Sequence, residues 1–115
     1  MAEKNSVLDR AKDHFSEMEM KVIEVEEWGE GNEALVIYAK PLTLRDKSRI
    51  LKMSKGDDIS IMAEVVVMKA EDKDGNCLFT RADKETLMRS VDPDIIARIA
   101  AEIMGSESFE DHTKN

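Results

Sequence analysis

The stretch Met20-Lys-Val-Ile-Glu-Val-Glu-Glu-Trp28, followed by Gly29-Glu-Gly-Asn32 and then by Ala34-Leu-Val-Ile-Tyr38 after Glu33, decides the fold class. Its first and last parts are rich in β-branched and aromatic residues, which favour strands. The part between them contains glycine and asparagine, which tolerate the positive φ angles of tight hairpin turns. The sequence therefore predicts a β-hairpin.

Helical patterns flank this hairpin on both sides. Residues 5–17 carry apolar side chains at helical spacing and predict an N-terminal helix. Pro41 ends the second strand, because proline cannot donate a hydrogen bond to a neighbouring strand. Thr43 then has the form of a helix N-cap, with Asp46 three residues later, and predicts a helix over 43–53.

Three more helices are predicted downstream. Residues 57–70 have a capping aspartate ahead of a long apolar run. A buried strand is the alternative there, but the run exceeds a typical strand length. Residues 82–91 predict a helix that Asp83 caps. The segment Asp92-Pro-Asp94 begins the last helix, which we expect to end near residue 105, since proline and carboxylates favour a first helical turn.

These elements predict an α+β fold with an N-terminal helix, one hairpin and about four helices in a single small domain. Residues 72–76 predict a turn in which Gly75 reverses the chain, followed by a short extended piece over 77–80 that Phe79 anchors in the core. We assign residues 1–105 to one globular domain. Residues 106–115 are polar and without periodicity, and they predict a disordered tail.

Charge and composition argue against several classes of protein. The 115 residues include 17 basic and 25 acidic side chains, for a formal net charge of −8. Such a surface repels phosphate groups, so we expect neither a nucleic acid nor a membrane as partner. No apolar segment suits a signal peptide or a membrane span, which predicts a cytoplasmic protein. The single cysteine, Cys77, excludes an internal disulfide and is expected to be half-buried.

No set of residues predicts catalysis, a cofactor or a metal ion. The turn at 72–76 resembles part of a calcium-binding EF-hand loop, but Arg81 would occupy the position that needs a bidentate carboxylate. His14 has carboxylates nearby but no nucleophile and no pocket signature. We therefore expect a protein that is not an enzyme and needs no cofactor. A small hydrolase with a buried Asp/Glu pair is the enzymatic alternative.

The methionine content is the feature of the composition that favours protein binding. The chain has eight methionines and is poor in aromatic side chains. Thioethers are flexible and suit surfaces that accept irregular apolar partners, although the count alone favours ordinary core filling. We predict partner-binding residues on the helix at 57–70, on the last helix and on the basic face of residues 45–55. They are Met62, Val66, Met68, Ile96, Ile99, Ile103, Arg45 and Arg49.

Two segments resemble the tail assembly chaperones of long-tailed bacteriophages. They are Lys40-Pro-Leu-Thr-Leu-Arg-Asp46, after the hairpin, and Glu71-Asp-Lys-Asp-Gly-Asn-Cys-Leu-Phe-Thr-Arg-Ala-Asp83. The resemblance extends over about residues 18–105. It implies a chaperone that coats the tape measure protein in the host cytoplasm before the tail tube polymerises around it. The tail tube protein is a possible second partner, and weak self-association is implied.

This chain would correspond to the short, non-frameshifted form of that family, and its N-terminal helix and acidic first strand depart from the family's pattern. Each motif residue has a structural role that does not depend on the family, and none is catalytic. The resemblance therefore implies a fold and a role but no active site. They are Pro41, Thr43, Gly75, Phe79 and Asp83. The alternatives are a bacterial secretion chaperone, another small acidic adaptor, and an acidic mimic of DNA with regularly spaced carboxylates.

Overall fold

The computed structural model of the chain describes residues 6–105. The predicted disordered tail, 106–115, lies outside the described residues, as do the first five residues. Within the described part there are five α-helices and a two-stranded antiparallel sheet, so the predicted α+β fold is confirmed. In chain order the elements are α1 (Val7–Ser16), β1 (Lys21–Glu30), β2 (Glu33–Ala39), α2 (Leu44–Ser54), α3 (Asp58–Lys69), a 3₁₀ turn (Arg81–Asp83), α4 (Lys84–Arg89) and α5 (Pro93–Met104).

The hairpin has one buried face and one exposed face, as the alternation of its residues requires. Ile23 pairs with Ile37 across the two strands, and Val25 and Ile37 have no exposed surface. The pairing register shifts between Val25 and Glu30, which marks a β-bulge close to the turn. The hairpin therefore presents its apolar face to the helices.

The core lies between the inner face of the hairpin and helices α3 and α5. Val65 and Val66 on α3 and Ile99 on α5 have no exposed surface. Because α3 packs against both α2 and α5, its apolar residues are buried on more than one side. The prediction of a helix rather than a strand over 57–70 is confirmed.

The predicted helix starts are held by side-chain caps. The hydroxyl of Thr43 accepts from the backbone N–H of Asp46 at 3.0 Å, and the carboxylate of Asp46 accepts from the N–H of Thr43 at 3.1 Å. Asp57 caps α3 by accepting from the N–H of Ile59 at 3.1 Å. These bonds satisfy backbone donors that have no partner inside the helix.

The chain between α3 and α4 differs in part from the prediction. Gly75 adopts a φ of 88° in the expected turn. Cys77 forms only an isolated bridge with Glu71 instead of opening an extended piece, and its side chain is exposed, so the expected half-burial is wrong. Phe79 is partly buried against the core, and its ring meets that of Trp28 edge-on with centroids 6.3 Å apart.

The fourth helix is shorter than predicted and begins differently. The chain first makes the 3₁₀ turn, so Thr80 occupies the N-cap position ahead of it. The carboxylate of Asp83 accepts from the N–H of Thr80 at 2.8 Å. Asp83 occupies the N-cap position of α4 as predicted, but its side chain makes no capping hydrogen bond to that helix, because its carboxylate accepts from Thr80 instead. No helix in the described residues is long and apolar enough to cross a membrane.

Helix α1 is present as predicted, but none of its residues is buried. Val7 and Leu8 keep 71% and 70% of their surface exposed, and Phe15 keeps 37%. The apolar spacing that predicts this helix therefore does not attach it to the core.

Candidate protein-binding site

An apolar cleft of about 230 Å³ opens between α3, α4 and α5. Its more buried lining residues are Met62, Leu87 and Ile96. Its more exposed lining residues are Ile59 and Met88, which keep 62% and 40% of their surface accessible. The cleft therefore offers apolar side chains to a molecule that enters it from solvent.

Local sequence explains why these side chains meet. Asp57 caps the start of α3 two residues before Ile59, and Met62 follows one turn after Ile59 on the same helix face. Helix α4 ends at Arg89, and Asp92 and Pro93 begin α5 only a few residues later. The short connection leaves a corner between α4 and α5, and the first turns of α3 lie against it.

The cleft is suited to binding apolar groups and carries no set of groups for catalysis. Arg89 is the only ionisable side chain among its lining residues, and it forms an exposed ion pair with Glu85 at 3.7 Å. Met62 and Met88 are flexible and polarisable, so the walls can adapt to side chains of different shape. An apolar segment of another protein is the kind of ligand that this lining accommodates.

The predicted partner-binding residues fall into different environments. Met62 and Ile96 line the cleft. Met68 is partly buried against the core and does not line the cleft. Arg45 and Arg49 are exposed on α2, away from the cleft lining.

The structure corrects the prediction for Val66, Ile99 and Ile103. Val66 and Ile99 have no exposed surface, and Ile103 keeps 3%. The apolar stripe of α5 packs directly on α3, so these side chains form the core and cannot reach a partner in this fold.

Sequence reasoning did not select Ile59 or Met88 as contact residues. The position of Ile59 in the first turn of α3 could have indicated its exposure, because few other residues cover the beginning of a helix that follows a turn. Met88 follows Leu87, and on the short helix α4 these two neighbouring positions point about 100° apart. Leu87 is 6% exposed, whereas Met88 keeps 40% of its surface accessible.

A polar cluster joins α3 to the 3₁₀ turn and to α4. Glu64 has no exposed surface, and its carboxylate accepts hydrogen bonds from Arg81 at 2.5 and 2.8 Å. The ammonium of Lys84 lies 3.0 Å from the same carboxylate. Burial by itself would raise the pKa of Glu64, but the hydrogen bonds and charges of Arg81 and Lys84 outweigh it and hold the pKa below its ordinary value.

This cluster does not match the site expected of a hydrolase that uses paired carboxylates. Among residues 6–105, Glu64 is the only acidic residue that is buried, and two cations neutralise it. Within the same range no group of three or more His, Cys, Asp or Glu side chains could hold a metal ion. The cluster holds the 3₁₀ turn and α4 against α3 and is a structural feature.

No protein-family model matches the chain, and no curated protein or solved structure matches it at a significant level.

Proposed function

We propose that this protein is a non-catalytic chaperone that binds a phage tape measure protein in the host cytoplasm while the tail is assembled. The observation that carries the proposal is the apolar, methionine-lined cleft between α3, α4 and α5, with Ile59 and Met88 exposed at its opening. A tape measure protein is long and helical, and its apolar patches need cover until the tail tube encloses them. The cleft is of a kind that could cover such a patch.

The two segments that resemble the phage family support the same proposal through their local structure. Thr43 caps a helix directly after the hairpin, and Gly75 turns the chain ahead of Phe79. These are the structural roles that the sequence predicts for Thr43, Gly75 and Phe79 independently of the family. Contact with the tail tube protein and weak association of several copies along one tape measure belong to the proposal as further expectations.

Co-expression with the large helical protein encoded beside this chain tests the proposal. We expect the two proteins to purify together at low and at moderate salt, because burial of apolar surface is screened little by ions. Failure to recover a complex under either condition would remove the support for a tape measure partner.

Variants of the cleft opening test whether this surface is the site. Ile59→Glu and Met88→Glu place a charge among apolar groups, and each should weaken the complex at least about tenfold, equivalent to about 1.4 kcal/mol. Both side chains are exposed, so the fold should survive, which circular dichroism can verify. Val22→Glu is the matched control, since Val22 is 59% exposed on the hairpin and does not line the cleft. Equal weakening by all three variants would contradict the assignment of the site.

A further inference from the structure

Helix α2 carries a group of cations that have no acidic partner within the described residues. Among residues 6–105, the ion pairs involve six basic residues that lie outside α2, which are Lys40, Lys69, Arg81, Lys84, Arg89 and Arg98. By contrast, the five basic residues of α2 and its C-cap form no ion pair among residues 6–105. They are Arg45, Lys47, Arg49, Lys52 and Lys55.

Three of these cations form one stripe on the outward face of α2. Arg45, Arg49 and Lys52 are spaced by four and three residues, which places them on the same side of a helix. Ile50 and Ser54 are buried and define the opposite, inward side. The stripe spans about two helical turns, or roughly 10 Å.

An apolar row lies beside this stripe. Leu44 and Leu51 are seven residues apart and so occupy nearly the same angular position on the helix. They keep 87% and 53% of their surface exposed, and Leu44 is the most exposed of the large apolar residues described. The exposed surface of α2 therefore combines a positive stripe with an apolar row about 100° away around the helix axis.

Helix stability does not account for this pattern. Like charges three and four residues apart repel one another on a helix surface, as Arg45 and Arg49 do. A cation in the first turn, where Arg45 lies, also opposes the helix dipole. The acidic residue of α2, Asp46, is already engaged with Thr43 and with Lys69 at 3.2 Å. In a chain with a net charge of −8, this concentration of unpaired cations points to a ligand that brings its own negative charge.

We propose that the outward face of α2 is a docking surface for an acidic amphipathic helix of another protein. The carboxylates of that helix would pair with Arg45, Arg49 and Lys52, and its leucine-like residues would pack on Leu44 and Leu51. Charge complementarity identifies the occupant as acidic. The apolar row of two turns matches the apolar stripe of an amphipathic helix, whereas phosphate groups would pair with the cations but leave Leu44 and Leu51 uncovered.

This surface is separate from the cleft of the proposed chaperone function. None of the residues of α2 lines that cleft. Loss of binding at α2 can therefore be distinguished from loss of tape measure binding at the cleft.

A labelled synthetic peptide of about three heptads, with glutamates beside a leucine row, is a suitable probe for the full chain. Fluorescence anisotropy should show binding that weakens as salt is raised, because exposed ion pairs are screened. The double variant Arg45→Glu with Arg49→Glu should weaken peptide binding at least about tenfold, equivalent to about 1.4 kcal/mol. Ile59→Glu with Met88→Glu, in the cleft, should leave it unchanged.

A matched control separates a local effect from the change in net charge. Lys12→Glu with Lys73→Glu makes the same charge change at two exposed positions outside α2 and should leave peptide binding within about twofold of wild type, because neither residue belongs to the stripe or to the apolar row. Leu44→Ser with Leu51→Ser should also weaken binding, since the apolar row is part of the surface. Equal loss in the Lys12/Lys73 control, or no loss on removing both leucines, would overturn the proposal.

Other occupants give different results in the same assay. Tighter binding of single-stranded DNA or of phosphatidylglycerol vesicles than of the peptide, lost in the Arg45/Arg49 variant, would assign the face to phosphate and overturn the proposal. Self-association of the chain at low salt that the same variant abolishes would assign it to a second copy and overturn it equally. Absence of peptide binding by the wild-type chain would do so directly.

Discussion

Arg81 holds the buried carboxylate of Glu64 with two hydrogen bonds, from Nη1 to Oε2 at 2.5 Å and from Nη2 to Oε1 at 2.8 Å. Glu64 is fully buried on α3, whereas the Arg81 side chain is half exposed in the 3₁₀ turn. Two parallel bonds between a guanidinium and a carboxylate fix both distance and orientation. The pair therefore attaches the segment between α3 and α4 to the centre of the domain.

Removal of Arg81 should destabilise the fold more than removal of an ordinary surface arginine. Arg81→Met leaves the buried charge of Glu64 with Lys84 as its remaining partner. We expect a loss of about 1–3 kcal/mol in the free energy of unfolding, towards the lower end because Arg81 is half exposed and water screens part of the interaction. Urea denaturation followed by circular dichroism measures this loss.

The matched control is Arg89→Met. Arg89 pairs with Glu85 at 3.7 Å, and both side chains are 73% exposed. Exposed pairs of this kind contribute little, so the urea midpoint should hardly change. If Arg89→Met shifted the urea midpoint as much as Arg81→Met, the burial of Glu64 would not explain the destabilisation caused by Arg81→Met.

Acid should weaken the domain partly through Glu64. Burial opposes ionisation, but the hydrogen bonds and charges of Arg81 and Lys84 outweigh it and lower the pKa of Glu64. Because the pKa in the folded state lies below that in the unfolded state, the resulting stability is fully present above the unfolded-state pKa. It is lost as the pH falls through the folded-state pKa.

Urea denaturation of the wild type and of Glu64→Gln over a series of acidic pH values tests this prediction. As the pH falls below the range in which an ordinary glutamate titrates, the free energy of unfolding of the wild type should decrease more steeply than that of Glu64→Gln. The other carboxylates with lowered pKa values, including that of Asp46, are common to both proteins and cancel in the difference. Parallel curves would exclude Glu64 as a source of acid sensitivity.

The capping box at the start of α2 should contribute measurably to stability. Thr43→Ala removes the hydroxyl that accepts from the N–H of Asp46, and we expect a loss of about 1 kcal/mol in the free energy of unfolding. Thr43→Ser retains the hydroxyl and should recover most of the loss. Thermal or urea unfolding of the two variants measures the difference, and an equal loss in both would show that the cap hydroxyl is not responsible.

The sequence predicts those features that depend on neighbouring residues. The hairpin follows from its strand-forming runs and from Gly31-Asn32, and the start of α2 follows from Thr43 and Asp46, only three residues apart. Such signals need no knowledge of the tertiary structure, because each acts within one turn of the chain. The predictions of the hairpin and of the start of α2 agree with the structure.

The features that the sequence does not predict depend on contacts between distant segments. Glu64 is buried because Arg81 and Lys84 reach it from 17 and 20 residues away, and a single sequence contains no sign of that pairing. The apolar pattern of α3 predicts Val66 on a binding surface, but Val66 is buried in the core because α3 packs against both α2 and α5. Likewise, apolar spacing predicts α1 but does not reveal that Leu8 stays exposed.

Two glycines of the hairpin should differ sharply in their tolerance of a side chain. A Cβ at Gly29 would lie 1.9 Å from the carbonyl oxygen of Glu33, so the backbone must move, and Gly29→Ala should cost about 3 kcal/mol. Gly31 has a φ of 59° and open space around it. Gly31→Asn should cost less than about 1 kcal/mol, because asparagine tolerates this conformation in hairpin turns. Urea unfolding measures both variants, and comparable losses would contradict the close approach of the two strands at Gly29.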